Sequence, residues 1–146
     1  MKVKQLSLFL ENRRGALSRP VRLLARGKFN ILTLTLADTQ QFGILRFVVR
    51  DWQRAKRLLE KNGFVVKVTD MVAIEVADKP GGLADILTAV EKAGVNVEYM
   101  YGFTLSTESK GLLAFRFDDP DRAIPALQKK GISPVGSGEL FKRLDT

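Results

Sequence analysis

Asp78-Lys79-Pro80-Gly81-Gly82-Leu83 is the stretch that decides the fold, because the chain carries it twice. Asn12-Arg13-Arg14-Gly15-Ala16-Leu17 answers to it at a shift of 66 residues (78 − 12), and Lys28-Phe29-Asn30-Ile31 answers to Gly94-Val95-Asn96-Val97 at the same shift. Past the middle of each half the shift becomes 68 (111 − 43), pairing Gly43 with Gly111, Arg54-Ala55 with Arg122-Ala123 and Gly63 with Gly131. Two extra residues therefore belong to the central hairpin of the second half. So long a period suits two small domains in tandem rather than a solenoid. We place the modules at 1–69 and 70–146, joined near Thr69-Asp70.

Outward from the first copy, Leu6, Leu8 and Leu10 share one face at period two, which predicts a strand over Lys2 to Leu10. Leu17, Val21 and Leu24 recur at helical spacing. Pro20 is tolerated because it falls in the first turn, where backbone N–H groups lack intrahelical partners. Asn30 to Ala37 and Phe42 to Arg50 read as strands around the polar turn Asp38-Thr39-Gln40-Gln41. Asp51 reads as the N-cap of a second helix that Asn62-Gly63 stops, before a last strand, Phe64 to Val68. The second half repeats this order: strand Met71 to Val76, helix Leu83 to Ala93, strands Val97 to Leu105 and Gly111 to Phe117, a helix from Asp119-Pro120, and strand Ile132 to Val135. Pro125 predicts a late start or a kink in that fourth helix. The tail from Glu139 to Leu144 is compatible with a strand, a short helix or a cover over the sheet.

Each half is thus βαββαβ. The expected fold class is α+β: two ferredoxin-like modules in tandem, each an antiparallel sheet with its helices on one face. The other face of each sheet is expected to stay open, and Tyr99, Tyr101 and Phe103 are candidates for it. Apolar stripes of this kind are more often core; where they are not, a partner sheet, a ligand or a second chain must bury them.

Composition removes several function classes. The 146 residues contain no Cys and no His, so disulfides, thiolate nucleophiles, the usual general base and the commonest zinc ligands are all missing. No paired carboxylates or Ser-Lys arrangement stands at telling spacing. We expect no enzyme, no metal and no cofactor. No apolar run approaches the roughly 20 residues needed to span a bilayer. Met1-Lys2-Val3-Lys4-Gln5 leads directly into an alternating pattern rather than an export signal. The expected location is cytoplasmic.

The duplicated turn carries the chemistry. Gly15 and Gly81 let the backbone curl tightly, and the helix that follows offers unpaired N–H groups and a partial positive charge, a seat for a carboxylate. Asn12 and Asp78 stand just ahead, with short polar side chains suited to an amino group. The plainer alternative is that Asn12 and Asp78 only brace the turn.

At this point the sequence resembles the ACT domain family, whose pattern is a strand, an acidic or Asn turn with Pro-Gly-x-Leu, a helix, then Gly-x-Asn-Ile. Asp78 to Leu83 with Gly94 to Val97 follows it closely; Asn12 to Leu17 with Phe29-Asn30-Ile31 follows it with Arg14 in place of Pro and Lys28 in place of Gly. The resemblance covers almost the whole chain and is to the stand-alone tandem members without a catalytic domain. It implies binding of a free amino acid at an interface between paired modules. The implied ligand-binding residues are Glu11, Asn12, Arg13, Arg14, Gly15, Ala16 and Leu17 in the first copy and Asp78, Lys79, Pro80, Gly81, Gly82 and Leu83 in the second. Asn30, Ile31, Asn96, Val97 and Tyr99 form the implied opposite wall. The implied partners are an amino-acid ligand and either a second copy or a partner enzyme.

Charge is uneven. Residues 1–70 hold 15 basic and 5 acidic side chains, a net of +10, whereas the remainder hold 9 and 11, a net of −2. Arg19, Arg22 and Arg26 share one side of the first helix. Nucleic-acid binding is therefore an alternative, because RNA-recognition modules share the βαββαβ order. However, the base-stacking positions hold Leu112 and Ala114, or Ile44 and Arg46, where aromatics belong. A purely protein-interaction module is the third reading.

Overall fold

The structure, a computed structural model, describes residues 1–103 and 110–144. Among the described residues twelve elements follow one another: β1 (Val3–Glu11), α1 (Ser18–Arg26), β2 (Thr33–Asp38), β3 (Phe42–Val48), α2 (Trp52–Lys61), β4 (Val66–Ala77), α3 (Gly82–Lys92), β5 (Val97–Gly102), β6 (Lys110–Phe117), α4 (Pro120–Lys129), β7 (Pro134–Val135) and α5 (Ser137–Leu144). They form two compact units, Lys4–Thr69 and Asp70–Thr146, the latter with Met1–Val3.

In the first unit the strand order is β2-β3-β1-β4. β3 runs antiparallel to β1, with Leu8 opposite Leu45, and antiparallel to β2, with Leu36 opposite Leu45. Leu6, Leu8 and Leu10 project from β1 into a core with Leu45 and Phe47 of β3, Leu24 of α1 and Ala55 and Leu59 of α2. The period-two and helical-period stripes meet there, which is what burying both amphipathic faces requires. Asp51 caps α2, its side chain accepting from the Arg54 N–H at 3.2 Å.

The second unit repeats the plan with β7, β6 and β5 arrayed on β4. Val72, Ile74 and Val76 of β4 and Phe115 and Phe117 of β6 face Ile86, Ala89 and Val90 of α3 and Ala123 and Leu127 of α4. The two phenyl rings stack at 5.4 Å. Asp119 caps α4 as Asp51 caps α2, accepting from the Arg122 N–H at 3.1 Å. Lys2 is tied into this unit by Asp121 at 2.8 Å, which lifts the Lys2 ammonium above the ordinary lysine range.

Three expectations need correction, and one left open is decided. The strands read as Phe64 to Val68 and Met71 to Val76 are one strand, Val66–Ala77, because no Gly or Pro in Lys67-Val68-Thr69-Asp70 interrupts the extended backbone. The fourth helix does not start late: it begins at Pro120, whose missing N–H costs nothing in the first turn, and runs through Pro125. Pro125 is exposed, on the solvent side of the helix. The tail is a helix, and it covers a face expected to be open. Glu75 lies between Ile74 and Val76 and so points away from the α3–α4 side, and its carboxylate is ion-paired with Arg143 of α5. Leu140 and Leu144 of α5 are 0% and 8% exposed, and Leu112 and Ala114 on that sheet face are 8% and 1% exposed. The hairpin tip expected to hold the two extra residues, and Leu105, lie outside the described residues.

Lys28 and Gly94 occupy the same place after α1 and α3, and both have left-handed backbone, φ 61° and 73°. The N–H groups of Lys28 and Phe29 bond to the carbonyls of Ala25 and Leu24, as those of Gly94 and Val95 bond to Glu91 and Val90. The first module thus keeps a glycine-type helix stop with a side chain present, at a cost of about 1 kcal/mol. Lys28→Gly is expected to raise stability by about that amount, read as a higher urea midpoint at unchanged slope.

Candidate functional site

The two turns are built alike. Gly15 and Gly81 have φ +85° and +90°, conformations that side-chain-bearing residues rarely adopt, and open space surrounds both α-carbons. The first intrahelical bonds run from the Arg19 N–H to Gly15 O and from the Asp85 N–H to Gly81 O, and neither helix has a side-chain cap. The amides of the first turn of each helix are therefore left without intrahelical acceptors.

In the first module the turn lines a depression of about 380 Å³ with Phe9, Leu10, Glu11, Arg13, Arg14, Gly15, Ala16, Arg19 and Phe64. Its charge is partly internal: Glu11 pairs with Arg13 at 2.6 Å. Arg19 is fixed, donating to Asn62 O at 2.8 Å with its guanidinium 4.7 Å from the Phe64 ring centroid. Asn12 braces the turn. Its amide nitrogen donates to Gln40 O at 2.9 Å and its backbone N–H to Gln41 O at 2.9 Å, holding the turn against the β2–β3 hairpin. Leu17 occupies the N-cap position of α1.

In the second module Asp78, Lys79, Pro80 and Leu83 line a depression of about 460 Å³ with Val76, Ala77, Gly111 and Leu113. That volume lies within the range of small-molecule sites. Its walls are apolar, with one carboxylate and one ammonium at the rim. Gly82 is not a lining residue. A Cβ there would overlap the Ala77 carbonyl oxygen and come within 3.3 Å of Val76 Cγ1, so glycine is what lets α3 start directly against the end of β4.

The residues expected as the opposite wall lie elsewhere. Asn30 is exposed, while Ile31 packs into the first unit's core. Asn96 exchanges bonds with Asp118: its N–H donates to Asp118 Oδ1 at 2.9 Å and its carbonyl accepts the Asp118 N–H at 3.1 Å. Val97 packs against the second core, and Tyr99 sits opposite Arg116 on the sheet face away from α3 and α4. In their place the structure supplies Phe9, Arg19 and Phe64 in one module and Gly111 and Leu113 in the other. The repeated glycine at 43 and 111 was a signal for the latter: Gly111 stands opposite Val76, and its missing side chain opens space beside Asp78.

Each half is therefore a ferredoxin-like module whose first turn opens onto a surface depression. A family model for the ACT domain pair matches residues 1–143, and the chain belongs to that family. The protein BT0572 of Bacteroides thetaiotaomicron has a crystal structure similar to this one, with TM-score 0.90, 36% identity and 97% of each chain covered. The regulatory subunit of aspartate kinase from Thermus thermophilus, in its ligand-free form, shares the fold at TM-score 0.64 and 17% identity over 86% of this chain and 91% of that one. The acetolactate synthase small subunit of Buchnera aphidicola subsp. Baizongia pistaciae is 31% identical over 80 residues, 54% of this chain. The chain spans half the length of that curated relative. Among the described residues no helix is long and apolar enough to cross a membrane, and no group of His, Cys, Asp or Glu is placed to hold a metal.

Proposed function

We propose that this chain is a non-catalytic regulatory protein that binds a free amino acid at its duplicated turns, with a paired ACT module closing the site. The supporting observation is the turn at Asp78 to Leu83. A left-handed Gly81 opens an uncapped helix beside an apolar depression, and Asp78 stands at the rim. The Leu83 and Ala84 amides suit the α-carboxylate, the Gly82 N–H being taken by Lys79 O, while Asp78 suits the α-ammonium, and Val76, Leu83 and Leu113 receive an apolar side chain. Regulation then needs no covalent step, because a ligand that prefers one packing of modules shifts the population towards it. Membership of the family, and the chain's likeness to an aspartate kinase regulatory subunit and an acetolactate synthase small subunit, agree with a partner enzyme as the target.

The test is a thermal-shift screen against free amino acids in phosphate-free buffer. Ligand at 100 times its dissociation constant adds about 2.7 kcal/mol of stability, a rise of several degrees in Tm. Gly81→Val is expected to abolish the response. If no amino acid shifts the wild-type transition, or if the variant responds at full strength, the assignment fails. Nucleic-acid binding through the second sheet is disfavoured, because Leu112 and Ala114, at the positions where bases would stack, are buried on the face that α5 covers.

A further inference from the structure

The first module carries a second feature that its twin lacks. Along α1 a groove of about 520 Å³ is lined by Arg14, Gly15, Ser18, Arg19, Arg22, Leu23, Arg26 and Asn62. Four arginines surround it and no acidic residue does. At the equivalent positions of the second module, each 66 residues on, stand Pro80, Asp85, Thr88 and Lys92. Every one of the four differs in favour of arginine, and the local charge changes from zero to +4. Two basic side chains of α2 have acidic partners close by in sequence: Arg54 lies 3.4 Å from the N-cap Asp51 and Lys56 lies 2.7 Å from Glu60. α1 contains no Asp or Glu, so its arginines have no such partner within the helix.

This arrangement works against the helix. Like charges at spacings of three and four repel, and Arg19 places a cation in the first turn, where the helix dipole favours an anion. Such a local conflict is expected where function demands it. Arg19 is also held in place through Asn62 and Phe64. From Arg19 to Arg26 the helix rises about 10 Å, the length of two or three linked phosphates. Guanidinium groups are the side chains best matched to such oxygens.

We propose that this groove binds a small ligand carrying linked phosphates, either an inorganic polyphosphate or the phosphate chain of a nucleotide. A compact ligand fits better than a nucleic-acid strand, because the groove is short and the Phe64 ring beside it is already occupied by Arg19. The groove adjoins the first-module depression and shares Arg14, Gly15 and Arg19 with it, whereas Arg22 and Arg26 line the groove alone and lie outside both turns, so the test is made on these two.

Isothermal titration of the full chain with sodium triphosphate is the test. Saturable binding is expected, weakened about tenfold or more in the double variant Arg22→Thr/Arg26→Thr and steeply weakened by salt. Lys129→Thr/Lys130→Thr, which removes the same charge from the second unit, is expected to bind as the wild type does. ATP as a second titrant separates the sources: tighter binding than triphosphate identifies a nucleotide, equal binding an inorganic chain, and both support the site. Absent saturation, equal weakening by both double variants, or binding of an RNA homopolymer that triphosphate does not displace overturns it. The amino-acid response of Arg22→Thr/Arg26→Thr is expected to be retained, so the two proposals fail separately.

Discussion

Gly82→Ala is expected to destabilise the chain by about 3 kcal/mol, lowering Tm by roughly 10 °C. The added methyl meets backbone rather than a movable side chain: it overlaps the Ala77 carbonyl oxygen and lies 3.2 Å from that carbonyl carbon. Neither group can retreat cheaply, since Ala77 O accepts the Lys79 N–H at 2.9 Å and the Gly82 N–H donates to Lys79 O at 3.1 Å. Relief requires α3 to lift off the end of β4, which loosens Ile86 and Val90 from the core beneath. The reciprocal change in the first module, Ala16→Gly, is expected to cost under about 1 kcal/mol, because alanine is already accommodated there and only backbone entropy is lost. Chemical denaturation of both variants decides the matter. A Gly82→Ala variant as stable as the wild type would mean that α3 does not start where it is described.

Leu140→Ala is expected to cost about 3 kcal/mol even though it lies in the tail. Leu140 is 0% exposed, and with Leu144 one turn further on it shields the sheet face that carries Leu112 and Ala114. Arg143→Ala is expected to cost much less, because its ion pair with Glu75 is partly open to water. Equal losses in the two variants would show that α5 is held by charge rather than by apolar burial. The same Leu140→Ala change is expected to expose apolar surface, read as dye binding under native conditions.

Much of this was legible in the chain. The duplicated Gly turns placed two helix starts, the leucine alternation of β1 placed the core face, and Asp51 and Asp119 marked helix N-termini because their short carboxylates satisfy amides locally. All of these are encounters within a few residues. The turn chemistry was half legible. Gly15 and Gly81 adopt the left-handed conformation that their type suggests, but Asn12 spends its amide on Gln40, a partner 28 residues away. Gly82 read as part of a ligand turn, whereas its identity is dictated by the closeness of one carbonyl.

The sequence by itself determined the repeat, the helix-and-strand alternation within each half and the absence of His and Cys chemistry, because periodicity and composition need no knowledge of what lies across space. Only the tertiary structure decided which residues line the depressions, that β4 runs unbroken through Thr69-Asp70, and that the tail helix covers the second sheet. Those outcomes depend on side chains that meet across strands and between distant segments, where burial and charge pairing are settled by the whole packed arrangement and not by neighbours in sequence.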